Sequence, residues 1–209
     1  MVTILTVAAI GYILGSIPTG VWLGKMIKGI DLRDHGSKSM GATNVFRVLG
    51  WKLAVIALIV DVGKGYAAAS LGYRINLGDI ALTPIQLSLI AGLAAIAGHL
   101  FPVFAKFKGG KGIATGAGLL LFLAPLELGF AVMVFILVVL ITRYVSLGSL
   151  SAATFFATVI ILERHYLGYP HGEEMELLSV LIFILVLYTH RSNIKRLISG
   201  RENKIGAKK

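Results

Sequence analysis

Stretches of membrane-spanning length, almost free of charge, constrain this 209-residue chain more than any other feature. A helix needs roughly 20 mainly apolar residues to cross about 30 Å of hydrocarbon. Met1 to Gly24, Leu53 to Leu71, Ile80 to Ala105 and Tyr144 to Leu162 meet that need, the second interrupted by Asp61 and Lys64. Met1 to Gly24 has no basic residues ahead of its apolar run, so it reads as a first span and not as a cleavable signal peptide. Gly112 to Thr142 carries one charge, Glu127, just after Pro125, and this pairing predicts a turn between two short central helices. Leu177 to Thr189 is short for a span and has to borrow residues upstream. The expected fold is an all-α, polytopic integral membrane helix bundle, a single domain over residues 1–209.

Loop charge sets the number and direction of crossings, because basic loops collect on the cytoplasmic side. Seven transmembrane helices place Lys25, Lys28, Arg33, Lys38, Arg47 and Lys52 there, with Lys106, Lys108, Lys111 and Arg143. The tail adds Arg191, Lys195, Arg196, Arg201, Lys204, Lys208 and Lys209. Asp79, Glu127, Glu163, Glu173, Glu174 and Glu176 then fall on the outer side. Six spans would strand the basic tail outside, so the reading is N-terminus outside and C-terminus cytoplasmic. The net charge of +10 belongs to these loops and to anionic lipid, not to nucleic acid. Composition agrees: 14% charged residues and a mean hydropathy of +0.85 do not fit a water-soluble domain, where about a quarter of residues are charged. The absence of cysteine excludes a disulfide framework and thiol chemistry.

The polar residues gather in the basic loops. The first loop, His35-Gly36-Ser37-Lys38-Ser39-Met40-Gly41-Ala42-Thr43-Asn44-Val45-Phe46-Arg47, sets short donors and glycines beside an arginine that can grip two oxygens. The same residues could simply cap a helix starting near Gly41. The second loop, Lys106-Phe107-Lys108-Gly109-Gly110-Lys111-Gly112, leads into a helix start, where N–H groups and the dipole favour an anion. Ala105 and Gly112 break the nucleotide-binding P-loop pattern, so triphosphate chemistry is not expected. Ser146 and Ser149 sit one helical turn apart after Arg143, and His190 and Asn193 have the same spacing in the tail. Asp61 and Lys64 suit a buried neutralising pair, and His99 a core histidine. No two-His metal spacing, Gly-x-Ser-x-Gly elbow or His-x4-Asp pair occurs.

Taken together, Gly36-Ser37, Gly41-Ala42-Thr43-Asn44 with Arg47, the run from Phe107 to Thr115, the run from Arg143 to Ser149 and the run from His190 to Leu197 closely resemble one family. It is the bacterial polytopic acyl-phosphate:glycerol-3-phosphate acyltransferases, and the likeness extends to Gly15-Ser16-Ile17-Pro18, Asp61 with Lys64-Gly65, and Gly98-His99. The resemblance implies an inner-membrane enzyme of a bacterial cell, acting at its cytoplasmic face, that moves a fatty acyl group from acyl phosphate to the 1-hydroxyl of glycerol 3-phosphate. The products are lysophosphatidic acid and phosphate. Carried over to matching positions, it implies phosphate binding by Ser37, Thr43, Asn44, Arg47, Gly109, Gly110 and Lys111, completed by Ser146, Ser149, His190 and Asn193. Ser37, Arg47, Lys111, His190 and Asn193 are the implied catalytic set. The chain departs from the family with Lys38-Ser39 in place of Gly-Asn, Gly148 in place of Ala and Ser192 in place of Glu.

The chemistry is consistent with those residue types. Acyl phosphate is an activated mixed anhydride, so the enzyme must hold two anions, orient a hydroxyl and stabilise an oxyanion, without a covalent nucleophile. No metal or organic cofactor is implied. The substrates and the lipid bilayer are the expected partners, and docking to an enzyme that supplies acyl phosphate is left open, as is the oligomeric state. Two other classes compete: a transporter or channel for organic phosphates, which would favour an internal repeat that is not evident, and a basic lipid-anchoring scaffold.

Overall fold

The computed structural model describes residues 1–169 and 171–206, which form α-helices and irregular segments with no strand among them. The chain divides into two compact units, Met1–Leu123 and Ala124–Lys209.

In the first unit, α1 (Val2–Gly15) and α2 (Thr19–Lys28) make a 27-residue apolar segment broken before Pro18, whose ring cannot continue a helix. Then come α3 (Ala42–Leu49), α4 (Trp51–Arg74), α5 (Pro84–Leu100) and α6 (Ile113–Leu123). Helix α1 packs along α5, and α4 packs against α5 and α6. Lipid is as apolar as leucine, so these helices associate through close backbone approach at small residues. A Cβ on Gly15 would run into the backbone of Ala95, and one on Gly65 into that of Thr115. The break at Ile17 frees a carbonyl, which accepts from Lys64 Nζ at 3.0 Å. Lys64 also donates to Asp61 Oδ1 at 2.8 Å, and Thr19 Oγ1 donates to the same oxygen at 3.0 Å. The spacing of Asp61 and Lys64 thus gives the buried pair it predicts.

In the second unit, α7 (Pro125–Thr142) runs into α8 (Val145–His165), and α9 (Glu173–Thr189) returns along α8. Helix α10 (Arg191–Ile198) bends 62° away from α9. The chain does break ahead of Pro125, but only α6, at 11 residues, is a short central helix. Helix α7 has 18 residues because Pro125 opens it and Glu127 sits in its first turn, where proline and a carboxylate favour a helix start. Helix α9 does borrow upstream, beginning at Glu173. Among the described residues, five segments are long and apolar enough to cross a membrane, or six if α9 and α10 are one span.

Candidate active site

The first loop is built around one side chain. Asn44, in the first turn of α3, is 1% exposed. Its Oδ1 accepts from Ser37 N at 2.7 Å, while its Nδ2 donates to the carbonyls of Leu32, His35 and Ser39 at 3.0, 3.0 and 2.7 Å. The expected phosphate ligand is therefore committed to the backbone: Asn44 holds the loop that presents the exposed Ser37. Thr43 and Arg47 lie four residues apart on the same α3 face, both half-buried.

A second clamp joins this loop to the glycine-rich one. Asp31 grips Arg33 through Nε and Nη2 at 2.9 and 2.6 Å, and those hydrogen bonds hold its carboxyl down at about 2. Thus aimed, Arg33 Nη1 donates to the carbonyls of Ala105 and Lys108 at 2.7 and 3.1 Å. Sequence reading gave Arg33 only a topological role.

The glycine-rich loop differs from expectation in its use of glycine. Gly109 N donates to Leu100 O at 3.1 Å and Gly110 N to His99 O at 3.0 Å. The physical reason lies at the end of α5, whose last carbonyls have no partner within the helix and draw the loop back upon them. The two N–H groups expected to cradle phosphate are thus spent on α5. What these positions require is close approach, since a Cβ on Gly110 would run into the His99 imidazole and one on Gly109 into the His99 and Leu100 carbonyls. His99 itself is 2% exposed, with Nδ1 3.8 Å from Asp61 Oδ1, so it stands as a rigid floor. Gly112 then turns through a left-handed φ of 79°, and α6 starts at Ile113. Lys111 is therefore placed immediately before the first-turn N–H groups of α6, a setting that favours an anion.

In the second unit the tail residues cluster at the start of α8. Ser146 Oγ and Asn193 Nδ2 donate to Glu202 Oε1 at 3.0 and 2.7 Å, and Arg196 Nε donates to Oε2 at 2.7 Å. Ile205 N donates to Arg143 O at 2.8 Å, stitching the tail to the turn between α7 and α8. Ser149 lies on the same face of α8, but its hydroxyl donates to Val145 O at 3.1 Å. His190, 2% exposed, sits at the bend between α9 and α10 with Nδ1 3.0 Å from Val186 O. A carbonyl can only accept, so Nδ1 carries a proton.

Glu202 escaped the sequence reading, although a lone carboxylate in a basic tail was its signal. Burial alone would raise its pKa, but hydrogen bonds from Asn193, Arg196 and Ser146 prevail and lower it. A lowered folded value means that its stabilisation is complete above the ordinary carboxylate range and is lost as pH falls through the folded value. We expect Glu202→Ala to cost about 2–3 kcal/mol at pH 7. In thermal unfolding, the gap between wild type and variant should close in acid; a gap independent of pH would show that the carboxylate charge is not what stabilises the tail.

Comparison with known proteins identifies the family. The profile of the glycerol-3-phosphate acyltransferase family matches residues 5–200. The glycerol-3-phosphate acyltransferase of Chlorobaculum tepidum is 41% identical, over 98% of this chain and 97% of its own. That of Salinibacter ruber is 39% identical, over 99% and 94%. The crystal structure of PlsY (YgiH), an integral membrane glycerol 3-phosphate acyltransferase, superposes in its glycerol 3-phosphate form with a TM-score of 0.84 at 36% identity, covering 97% of this chain and 96% of that one. Its lysophosphatidic acid form gives 0.82 at 35%. The chain is a member of the glycerol-3-phosphate acyltransferase family.

Proposed function

We propose that this protein transfers a fatty acyl group from acyl phosphate to the 1-hydroxyl of glycerol 3-phosphate, releasing lysophosphatidic acid and phosphate. The observation that carries the proposal is the placement of Lys111, fixed between a loop folded onto the end of α5 and the start of α6. The related PlsY structures are described as a glycerol 3-phosphate form and a lysophosphatidic acid form, named for a substrate and a product of this reaction. Lys111 and Arg47 grip the phosphate of glycerol 3-phosphate. Ser37 and the α6 first turn take the acyl phosphate, with Thr43 beside them, while Asn44, Gly109 and Gly110 give the loops their shape. Ser146, Ser149, His190 and Asn193 are the phosphate-binding groups of the second unit, as the family resemblance implies.

The hydroxyl oxygen attacks the acyl carbon, the acyl C–O bond to phosphate breaks, and phosphate leaves with the electron pair. The hydroxyl proton passes to a phosphate oxygen of the donor, so no side-chain base and no acyl-enzyme are needed. Seven crossings, with the N-terminus outside and the basic loops at the cytoplasmic face of the bacterial inner membrane, put this chemistry where soluble glycerol 3-phosphate is found. The whole of residues 1–209 acts as one unit.

The test is phosphate release from palmitoyl phosphate by purified protein in detergent, with glycerol 3-phosphate added or withheld. Release should depend on glycerol 3-phosphate, and its absence from folded protein would overturn the reading. His190→Ala should keep more than about a tenth of wild-type turnover; a loss of about 10²–10⁴-fold would make His190 the general base instead.

A further inference from the structure

The structure assigns a transition-metal site, of the zinc class, to Glu127, Glu163 and His171, at the end of the second unit away from Ser146 and His190. These residues lie in the first turn of α7, the last turns of α8 and the loop before α9. One ligand atom from each falls within 4.8 Å of the others. His171 Nε2 is 2.9 Å from Glu163 Oε2 and 3.5 Å from Glu127 Oε1. Ligands held tetrahedrally at about 2.0–2.1 Å from zinc stand about 3.3 Å apart, so these two separations bracket the required edge.

Glu127 is the observation that points to an ion. It is 7% exposed, and among the described residues its one ion-pair partner is His171, whose Nε2 stands 3.5 Å from Oε1. The first turn of α7 favours this charge but supplies no counter-ion for it. Nearby charges are already engaged: Arg164 pairs with Glu173 and Glu176, and His165 with Glu176. Among the described residues no lysine or arginine pairs with Glu127 or Glu163. Two carboxylates, a neutral imidazole and a divalent cation sum to zero charge, whereas an imidazolium would leave one negative charge over. The loop is set for the purpose: Tyr169 N donates to Glu163 O at 3.0 Å, and His171 N to Tyr169 O at 2.9 Å. Imidazole with carboxylates suits zinc better than magnesium or calcium. Three protein ligands leave a fourth position for water, and the ion would staple α7, α8 and the loop before α9 together.

The test uses untagged protein in detergent, stripped with chelator and titrated with zinc chloride by calorimetry, with thermal unfolding alongside. One zinc per chain should bind and raise the unfolding midpoint. Glu127→Gln and His171→Ala should each weaken binding at least about tenfold and remove the thermal shift. His171 lies in a loop, so its variant keeps the test valid if Glu127→Gln does not fold. Wild type that binds no zinc, or binding that survives both substitutions, would overturn the site. So would a wild-type midpoint that responds to pH but not to zinc, which would make the cluster a proton-linked clasp.

Discussion

Replacing Lys111 with alanine is expected to lower glycerol-3-phosphate-dependent phosphate release by roughly 10²–10³-fold. In the proposed reaction the lysine is a charged donor where two anionic substrates meet, so its loss removes transition-state stabilisation. Its position is set from beneath by His99, which is buried, and by the Asp61–Lys64 pair beside that ring. The companion variant Gly110→Ala keeps the lysine and moves its support. The new methyl would overlap the imidazole of His99, which is buried, so the loop has to give. Displacing a substrate-holding group by about 1 Å can cost about 10²-fold, and that is the loss expected in kcat/KM for Gly110→Ala. A Gly110→Ala enzyme with near wild-type kinetics would show that the close approach to His99 does not set the position of Lys111.

The second large effect is expected at Asn44. Alanine there strips partners from Ser37 N and from the carbonyls of Leu32, His35 and Ser39. A buried polar group left unsatisfied costs about 1–3 kcal/mol, and with the solvent-facing members rehydrated the set should lose about 2–4 kcal/mol. Activity should fall at least about 10²-fold, because Ser37 loses the bond that orders it. Asn44→Asp separates the two halves of the argument: it keeps the acceptor for Ser37 N but turns a carboxylate oxygen toward three carbonyls. We expect it to be no more stable than Asn44→Ala in thermal unfolding. An aspartate variant as stable as wild type would mean that the three donated bonds contribute nothing.

Much of the architecture is visible in local sequence, because membrane thickness imposes a length on apolar runs and charge imposes a side on loops. The break before Pro125 and the Asp61–Lys64 pair belong to that kind of information. The length of α7 does not: a proline and a glutamate look alike in mid-run whether they interrupt a helix or begin one, and the structure shows that they begin it. The site was visible as a set of residue types in three places, but the assignment of tasks within it was not. Asn44 and Gly110 both look like anion ligands until the carbonyls that claim their donors are known, and those carbonyls belong to residues with no motif of their own. The reach of Arg33 to Ala105 and Lys108, of Glu202 to Ser146 and of His171 to Glu127 joins residues distant in sequence, which local spacing does not encode.

The bond from Ser146 to Glu202 also has a consequence in time. The two residues are 56 positions apart, so at roughly 5–20 residues per second the carboxylate is made roughly 3–11 s after the hydroxyl that donates to it. Throughout that interval Ser146 waits without this acceptor at the start of α8, whose last residue, His165, is made well before Glu202. Locking of this end of the second unit is therefore a late event of biosynthesis. Nascent chains arrested before Glu202 should carry inserted helices with this corner still open, and should be cut by protease at the turn near Arg143 where the finished protein resists.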